Sequence, residues 1–153
     1  MKVLVTVGTT KFDSLISFLD MALLRYKHVE PIFQIGGGDY KPKNFDYFEF
    51  TPDINDYYVS ADIVITHAGA GTIYKLLALN KKIFMVPNLE RIDFHQMEIA
   101  EYMSSKGHAV WCRNFDDILC GLDDIEGISF LPYLKEEFIK FDEITDLILG
   151  HDD

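Results

Sequence analysis

Short runs in which nearly every residue is apolar alternate along this chain with longer stretches whose apolar residues recur at helical spacing, and few folds accommodate that pattern. Val3–Val7, Pro31–Ile35, Asp62–Thr66 and Lys82–Val86 read as strands, with Phe45–Phe50 and Ala109–Cys112 as further strands. Between them, Lys11–Tyr26 places Phe12, Leu15, Ile16, Leu19 and Leu23 on one helical face. Asp53–Ser60 reads as a short helix, and a helix follows the loop His67–Thr72 and runs through Leu79. Asp93–Lys106 sets Met97, Ala100 and Met103 on one face and ends at Gly107. Asp116–Leu122 and Tyr133–Leu149 complete the helices. Strands that are apolar throughout must be covered on both faces, which points to a parallel sheet between helix layers. Right-handed crossovers then give an α/β, Rossmann-like doubly wound fold. In such folds ligands sit at the carboxyl ends of the strands, so the loops leading into helices should carry the chemistry.

No linker, repeat or low-complexity stretch divides the 153 residues, so the expectation is one domain over residues 1–153. The longest apolar runs fall far short of the roughly 20 residues that span a bilayer. The start of the chain lacks the pattern of a signal peptide, and a cytoplasmic protein is expected. The net charge of −11 is unevenly placed: residues 1–113 are nearly neutral and residues 114–153 form an acidic, helical C-terminal segment. Such a chain is not built to bind nucleic acid or an anionic membrane, both of which call for clustered cations. Cys112 and Cys120 form no CxxC pair and lie among apolar residues, as reduced thiols in or near the core. The five histidines have no metal-ligand spacing, so no metal site is expected.

Three loops can carry chemistry. Gly8-Thr9-Thr10 joins the first strand to the first helix, and offers close backbone approach, two hydroxyls and a helix N-terminus to an anion. Thr10 as a plain helix cap is the simpler reading. His67-Ala68-Gly69-Ala70-Gly71-Thr72 follows a buried strand and can present backbone N–H groups to phosphate. Its glycines fit tight strand-to-helix packing equally well. It is no dinucleotide fingerprint, because Tyr74 stands at the third glycine position, and Glu90 as a ribose-binding acid is a weak coincidence of spacing. Pro87-Asn88, followed by Asp93-Phe94-His95-Gln96, sets His95 and Gln96 at a helix start, where they can face a polar ligand. Asp93 and Gln96 can also form a capping box. Nucleophile elbow, P-loop and kinase motifs are absent. No two aspartates are separated by a single residue, so the metal–diphosphate clamp of many sugar transferases is missing.

In order, Val7-Gly8-Thr9-Thr10, Gln34-Ile35-Gly36, Ala61 through Thr72, Val86-Pro87-Asn88 and His95-Gln96 resemble the C-terminal, donor-binding half of glycosyltransferase family 28. In length the chain is similar to that family's stand-alone subunits. One kind is the cytosolic subunit of the two-part N-acetylglucosaminyltransferase of the dolichol pathway. The other is the bacterial capsule and exopolysaccharide subunit, to which Lys81-Lys82 and Asp93–Gln96 are nearer. The resemblance implies half of a GT-B fold that binds a UDP-sugar without a metal or other cofactor. It implies diphosphate at Gly8, Thr9 and Thr10 and at His67, Ala68, Gly69, Ala70, Gly71 and Thr72, with the sugar hydroxyls near His95 and Gln96 and with Asn88 also among the UDP-sugar-binding residues. It further implies a membrane-associated partner that brings the lipid-linked saccharide acceptor and the general base, recruiting this chain to the inner face of the membrane. The expected reaction is an inverting hexosyl transfer; the alternative is a non-catalytic subunit that binds nucleotide sugar and stimulates its partner. One position departs from the family: Lys75 stands where related enzymes carry a ribose-binding Glu, and lysine offers donors but no acceptor.

Overall fold

The computed structural model describes residues 1–90 and 94–134. The strands are β1 (Lys2–Thr6), β2 (Glu30–Gln34), β3 (Tyr47–Phe48), β4 (Ile63–Thr66), β5 (Lys82–Met85) and β6 (Val110–Trp111). The helices are α1 (Asp13–Ala22), α2 (Ile54–Ser60), α3 (Ala70–Ala78), α4 (Phe94–Ser105) and α5 (Phe115–Asp123), with a 3₁₀ turn over Leu23–Arg25. All strand pairs are parallel, in the order β3-β2-β1-β4-β5-β6. The order reverses between β1 and β4, the place at which folds of this kind bind ligands.

The sheet's alternation divides the core in two. Val3, Val5, Phe33, Ile63, Ile65 and Phe84 pack against Leu15, Ile16 and Leu19 of α1 and Ile118, Leu119 and Leu122 of α5. Leu4, Val64, Ile83 and Met85 face Ile73, Leu76 and Leu77 of α3 and Ile99, Ala100 and Met103 of α4. A Cβ on Gly121 would come within 2.9 Å of the Phe84 ring, so a glycine there lets α5 lie close on the sheet. Asn114 and Asp117 close a reciprocal capping box at the start of α5. The Lys81 ammonium donates to the carbonyls of Val59 (2.6 Å) and Ala61 (2.9 Å) at the end of α2, where a cation also suits the helix dipole.

Several expectations shift in detail. The first helix starts at Asp13, because the chain first makes a turn in which the Thr10 amide (3.1 Å) and hydroxyl (2.8 Å) both donate to the Val7 carbonyl. Thr10 therefore does not cap α1, whose N-cap is Phe12 without a side-chain bond. On α4 the buried face is Gln96, Ile99, Ala100 and Met103, while Met97 is 38% exposed. Cys112 is buried but Cys120 is exposed, since α5 turns it away from the apolar face formed by Ile118, Leu119 and Leu122. The helix expected over Tyr133–Leu149 lies almost wholly outside the described residues, as does Asp93.

Candidate functional site

The carboxyl ends of β1, β4 and β5 bring together the loops singled out in the sequence. Gly8 has φ +60°, and its N–H donates to the Thr6 hydroxyl (3.2 Å), which itself donates to Gln34 Oε1 (2.5 Å). Gly36 lies flat on this loop. A Cβ there would be 2.3 Å from the Thr10 carbonyl oxygen and 2.7 Å from that of Gly8, so a glycine is required in the loop after β2 as well.

His67 joins the first loop to the second. Its imidazole is 6% exposed. Its Cε1 lies 3.4 Å from where a Cβ on Gly8 would sit, and its Nε2 lies 2.7 Å from where one on Gly69 would sit. One ring therefore fills the space between the two loops, and Gly69 is a glycine because the ring occupies the place of its side chain. Ala68, fully buried, takes φ +64°, a left-handed conformation that costs a non-glycine residue roughly 1–2 kcal/mol. This bend turns the chain from β4 directly into α3. The residue type gives no signal of it in the sequence.

The N-terminus of α3 is the main polar feature. Gly69 is its N-cap, with no side-chain cap and no acidic residue in the first turn. The first intrahelical bond is from the Ile73 N–H to the Gly69 carbonyl (3.0 Å), so the N–H groups of Ala70, Gly71 and Thr72 lie ahead of the ladder. A Cβ on Gly71 would meet nothing within 4 Å. The position beside Gly71, in the first turn of a helix whose N-terminal end carries partial positive charge, is thus unobstructed. Just below, the Thr66 hydroxyl is buried with no hydrogen-bond partner among the described residues. Thr72 lies beside the Tyr58 phenol, whose pKa burial raises while the Thr72 hydroxyl acts against that shift. Lys75 is exposed one turn along α3.

The third loop is arranged differently from expectation. Asn88 is 2% exposed. Its N–H donates to Gln96 Oε1 (2.9 Å), its Nδ2 to the Lys11 carbonyl (2.9 Å), and its Oδ1 accepts from the Glu90 N–H (3.0 Å). Gln96, buried on α4, thus points at the backbone of Asn88. His95, one residue earlier, turns outward, with its side chain 70% exposed and Nδ1 3.5 Å from Glu98 Oε2. Sequence reasoning placed His95 and Gln96 side by side in the crevice; neighbours on a helix point about 100° apart, and the structure separates them. Glu90 accepts a hydrogen bond from Ser14 at the start of α1. Lys11 pairs with Asp39 and with Asp13 (3.3 Å); hydrogen bonds to these two carboxylates raise its pKa. Burial pushes the Asp13 carboxyl up, but the N–H groups of Tyr40 and Asp39 and the Lys11 ammonium outweigh it and hold the pKa low. Among the described residues no three His, Cys, Asp or Glu side chains come together as a metal site, and no helix is long and apolar enough to cross a membrane.

Residues 2–116 match the model of the glycosyltransferase family 28 C-terminal domain. The chain belongs to this family. It is 37% identical over 124 residues to the human UDP-N-acetylglucosamine transferase subunit ALG13, covering 72% of this chain and 11% of that protein. It is 44% identical over 83 residues to the Candida glabrata protein of the same name, covering 54% of this chain and 42% of that one. The chain therefore spans about a tenth of the human relative and less than half of the yeast one. Among solved structures, the solution structure of ALG13 superposes with a TM-score of 0.61 at 20% identity, covering 86% of this chain and 87% of that one. Acinetobacter baumannii MurG superposes with a TM-score of 0.61 at 19% identity, over 82% of this chain and 41% of that one. Both the family resemblance and the half GT-B fold expected from the motifs are borne out. The two sequence relatives carry the name of the N-acetylglucosaminyltransferase kind of subunit, not of the capsule kind that Lys81-Lys82 and Asp93–Gln96 led one to expect.

Proposed function

We propose that this chain binds the UDP-sugar donor of a two-component glycosyltransferase, with UDP-N-acetylglucosamine the first donor to test. The supporting observation is the uncapped N-terminus of α3, set beside the Gly8–Thr10 loop with open space above Gly71. A diphosphate there would accept from the leading N–H groups of α3 and meet the positive end of its dipole. This reading needs no metal, because fixed dipoles neutralise the departing charge. In the reaction an acceptor hydroxyl oxygen bonds to the anomeric carbon from the face opposite the diphosphate. The carbon–oxygen bond to the β-phosphate breaks, and UDP leaves with its electron pair. The hydroxyl proton passes to a base on the partner, and the anomeric configuration inverts. The names of the relatives as transferase subunits support a second polypeptide. That polypeptide holds the lipid-linked saccharide at the membrane surface, because attack requires donor and acceptor to be held together.

Calorimetry of the purified chain with UDP, UDP-N-acetylglucosamine, UDP-glucose and NAD tests the first half of this reading. Binding of UDP and a UDP-sugar, with and without a chelator, is expected. Failure to bind any uridine nucleotide overturns it. Sugar transfer to a lipid-linked acceptor in detergent tests the second half: turnover is expected only when the partner is added. Robust turnover by the chain alone refutes the half-enzyme, and binding without turnover in the presence of the partner marks a non-catalytic subunit.

A further inference from the structure

The loop after β5 and the loop after β1 are far apart in sequence, yet one buried side chain joins them. Asn88 donates from Nδ2 to the Lys11 carbonyl, 77 residues away, while Oδ1 closes its own loop on the Glu90 N–H. Gln96 fixes the Asn88 backbone from α4. The Lys11 carbonyl directly follows Thr10, whose own carbonyl accepts from the Gly37 N–H (3.3 Å). Gly8–Lys11 is thus held on one side by the loop after β2 and on the other by Asn88. A second tie, from Ser14 to Glu90, joins the same two segments at the surface, where water competes for both groups.

We propose that Asn88 is a positioning residue: its buried amide sets the spacing between the loop after β1 and the loop after β5 before any ligand arrives. At 2% exposure it presents almost no surface to a ligand in the crevice, and its effect passes through the Lys11 carbonyl to the Gly8–Thr10 turn. The inference rests on the donor-site reading above for its consequence, but not for the brace itself. Among the described residues, the ionisable side chains of this network are Glu90, bonded to Ser14, and Lys11, paired with Asp13 and Asp39.

Asn88→Asp isolates the brace. It keeps the shape and the acceptor for the Glu90 N–H, but at pH 8 it sets a carboxylate against the Lys11 carbonyl. Burial and the facing carbonyl raise that carboxyl's pKa, while the Glu90 N–H lowers it; toward pH 5 a larger fraction is protonated and donates again. The measurements are backbone amide spectra of the ligand-free chain and calorimetric UDP affinity, each against the parent at the same pH. At pH 8 the amides of Gly8 to Phe12 are expected to shift without ligand, and UDP to bind roughly tenfold or more weakly, the scale of one lost buried bond. At pH 5 both differences shrink. Asn88→Ala, which buries no charge, is expected to shift the same amides with no recovery at pH 5; it serves in place of the aspartate should that variant not fold at pH 8. Unmoved amides in both variants overturn the brace. UDP affinity that falls while those amides stay in place makes Asn88 a direct ligand contact and also overturns it. If the parent chain does not bind UDP, the donor reading fails, and the ligand-free amides alone still decide the brace.

Discussion

Adding a single methyl at position 69 tests the arrangement of His67. Gly69 has φ −68° and ψ 128°, angles any residue adopts, so Gly69→Ala gains about 0.4–1 kcal/mol through the unfolded chain, offset in part because an N-cap prefers Gly to Ala. The structure reverses that sign. The new Cβ would lie 2.7 Å from His67 Nε2 and 2.9 Å from Cε1, well inside the ~3.5 Å of an ordinary contact. His67 is buried at 6% exposure, so its ring can retreat only by displacing packed neighbours. Overpacking of this kind costs about 1–3 kcal/mol, which against that gain leaves a net loss of about 0–2.6 kcal/mol. For a chain of this size that is a fall in Tm of up to roughly 10 °C. Urea unfolding of Gly69→Ala, His67→Ala and the double variant measures the coupling directly. With the ring removed, Gly69→Ala should recover at least about 1 kcal/mol, well beyond the ~0.5 kcal/mol within which independent sites add. Additive costs in the double variant would refute the wedge.

Other outcomes follow from the same geometry. Gly71→Ala meets open space and sits in the first turn of α3, so it should raise stability by about 0.5–1 kcal/mol while weakening UDP, because the methyl stands where the phosphate is placed; unchanged UDP affinity moves the phosphate elsewhere. Gln96→Ala leaves the buried Asn88 N–H without its acceptor and should cost about 1–3 kcal/mol in urea unfolding, whatever it does to sugar binding; parental stability contradicts the observed bond. With a thiol reagent at pH 8, Cys120 should react and Cys112 should not. Burial first, and Asp117 second, push the Cys112 thiol up to about 12, and the reactive thiolate forms only as pH approaches that value. Fast labelling of two thiols in the folded chain would count against the packing of β6.

The alternation of apolar runs with amphipathic stretches was enough to determine the class of fold. An all-apolar strand can be satisfied only between two helix layers, and such a sheet is parallel. The small and hydroxylic residues after β1 and β4 marked the loops that matter for the same reason: strand ends in this fold point their loops into one crevice. What the sequence left open was which polar group meets which. Asn88 and Gln96 are residue types that can serve a ligand or a backbone, and a linear pattern shows only that a bond is possible. The order β3-β2-β1-β4-β5-β6 sets the β5 loop beside that of β1, and this places Lys11 within reach of Asn88. Two neighbours can also part company, as His95 and Gln96 do, because α4 is fixed by Ile99, Ala100 and Met103 against the sheet. His67 as a wedge and Ala68 at a left-handed bend were invisible for a related reason. Both are imposed by the short distance between a buried strand and the helix that follows, and that distance exists only once the two have packed.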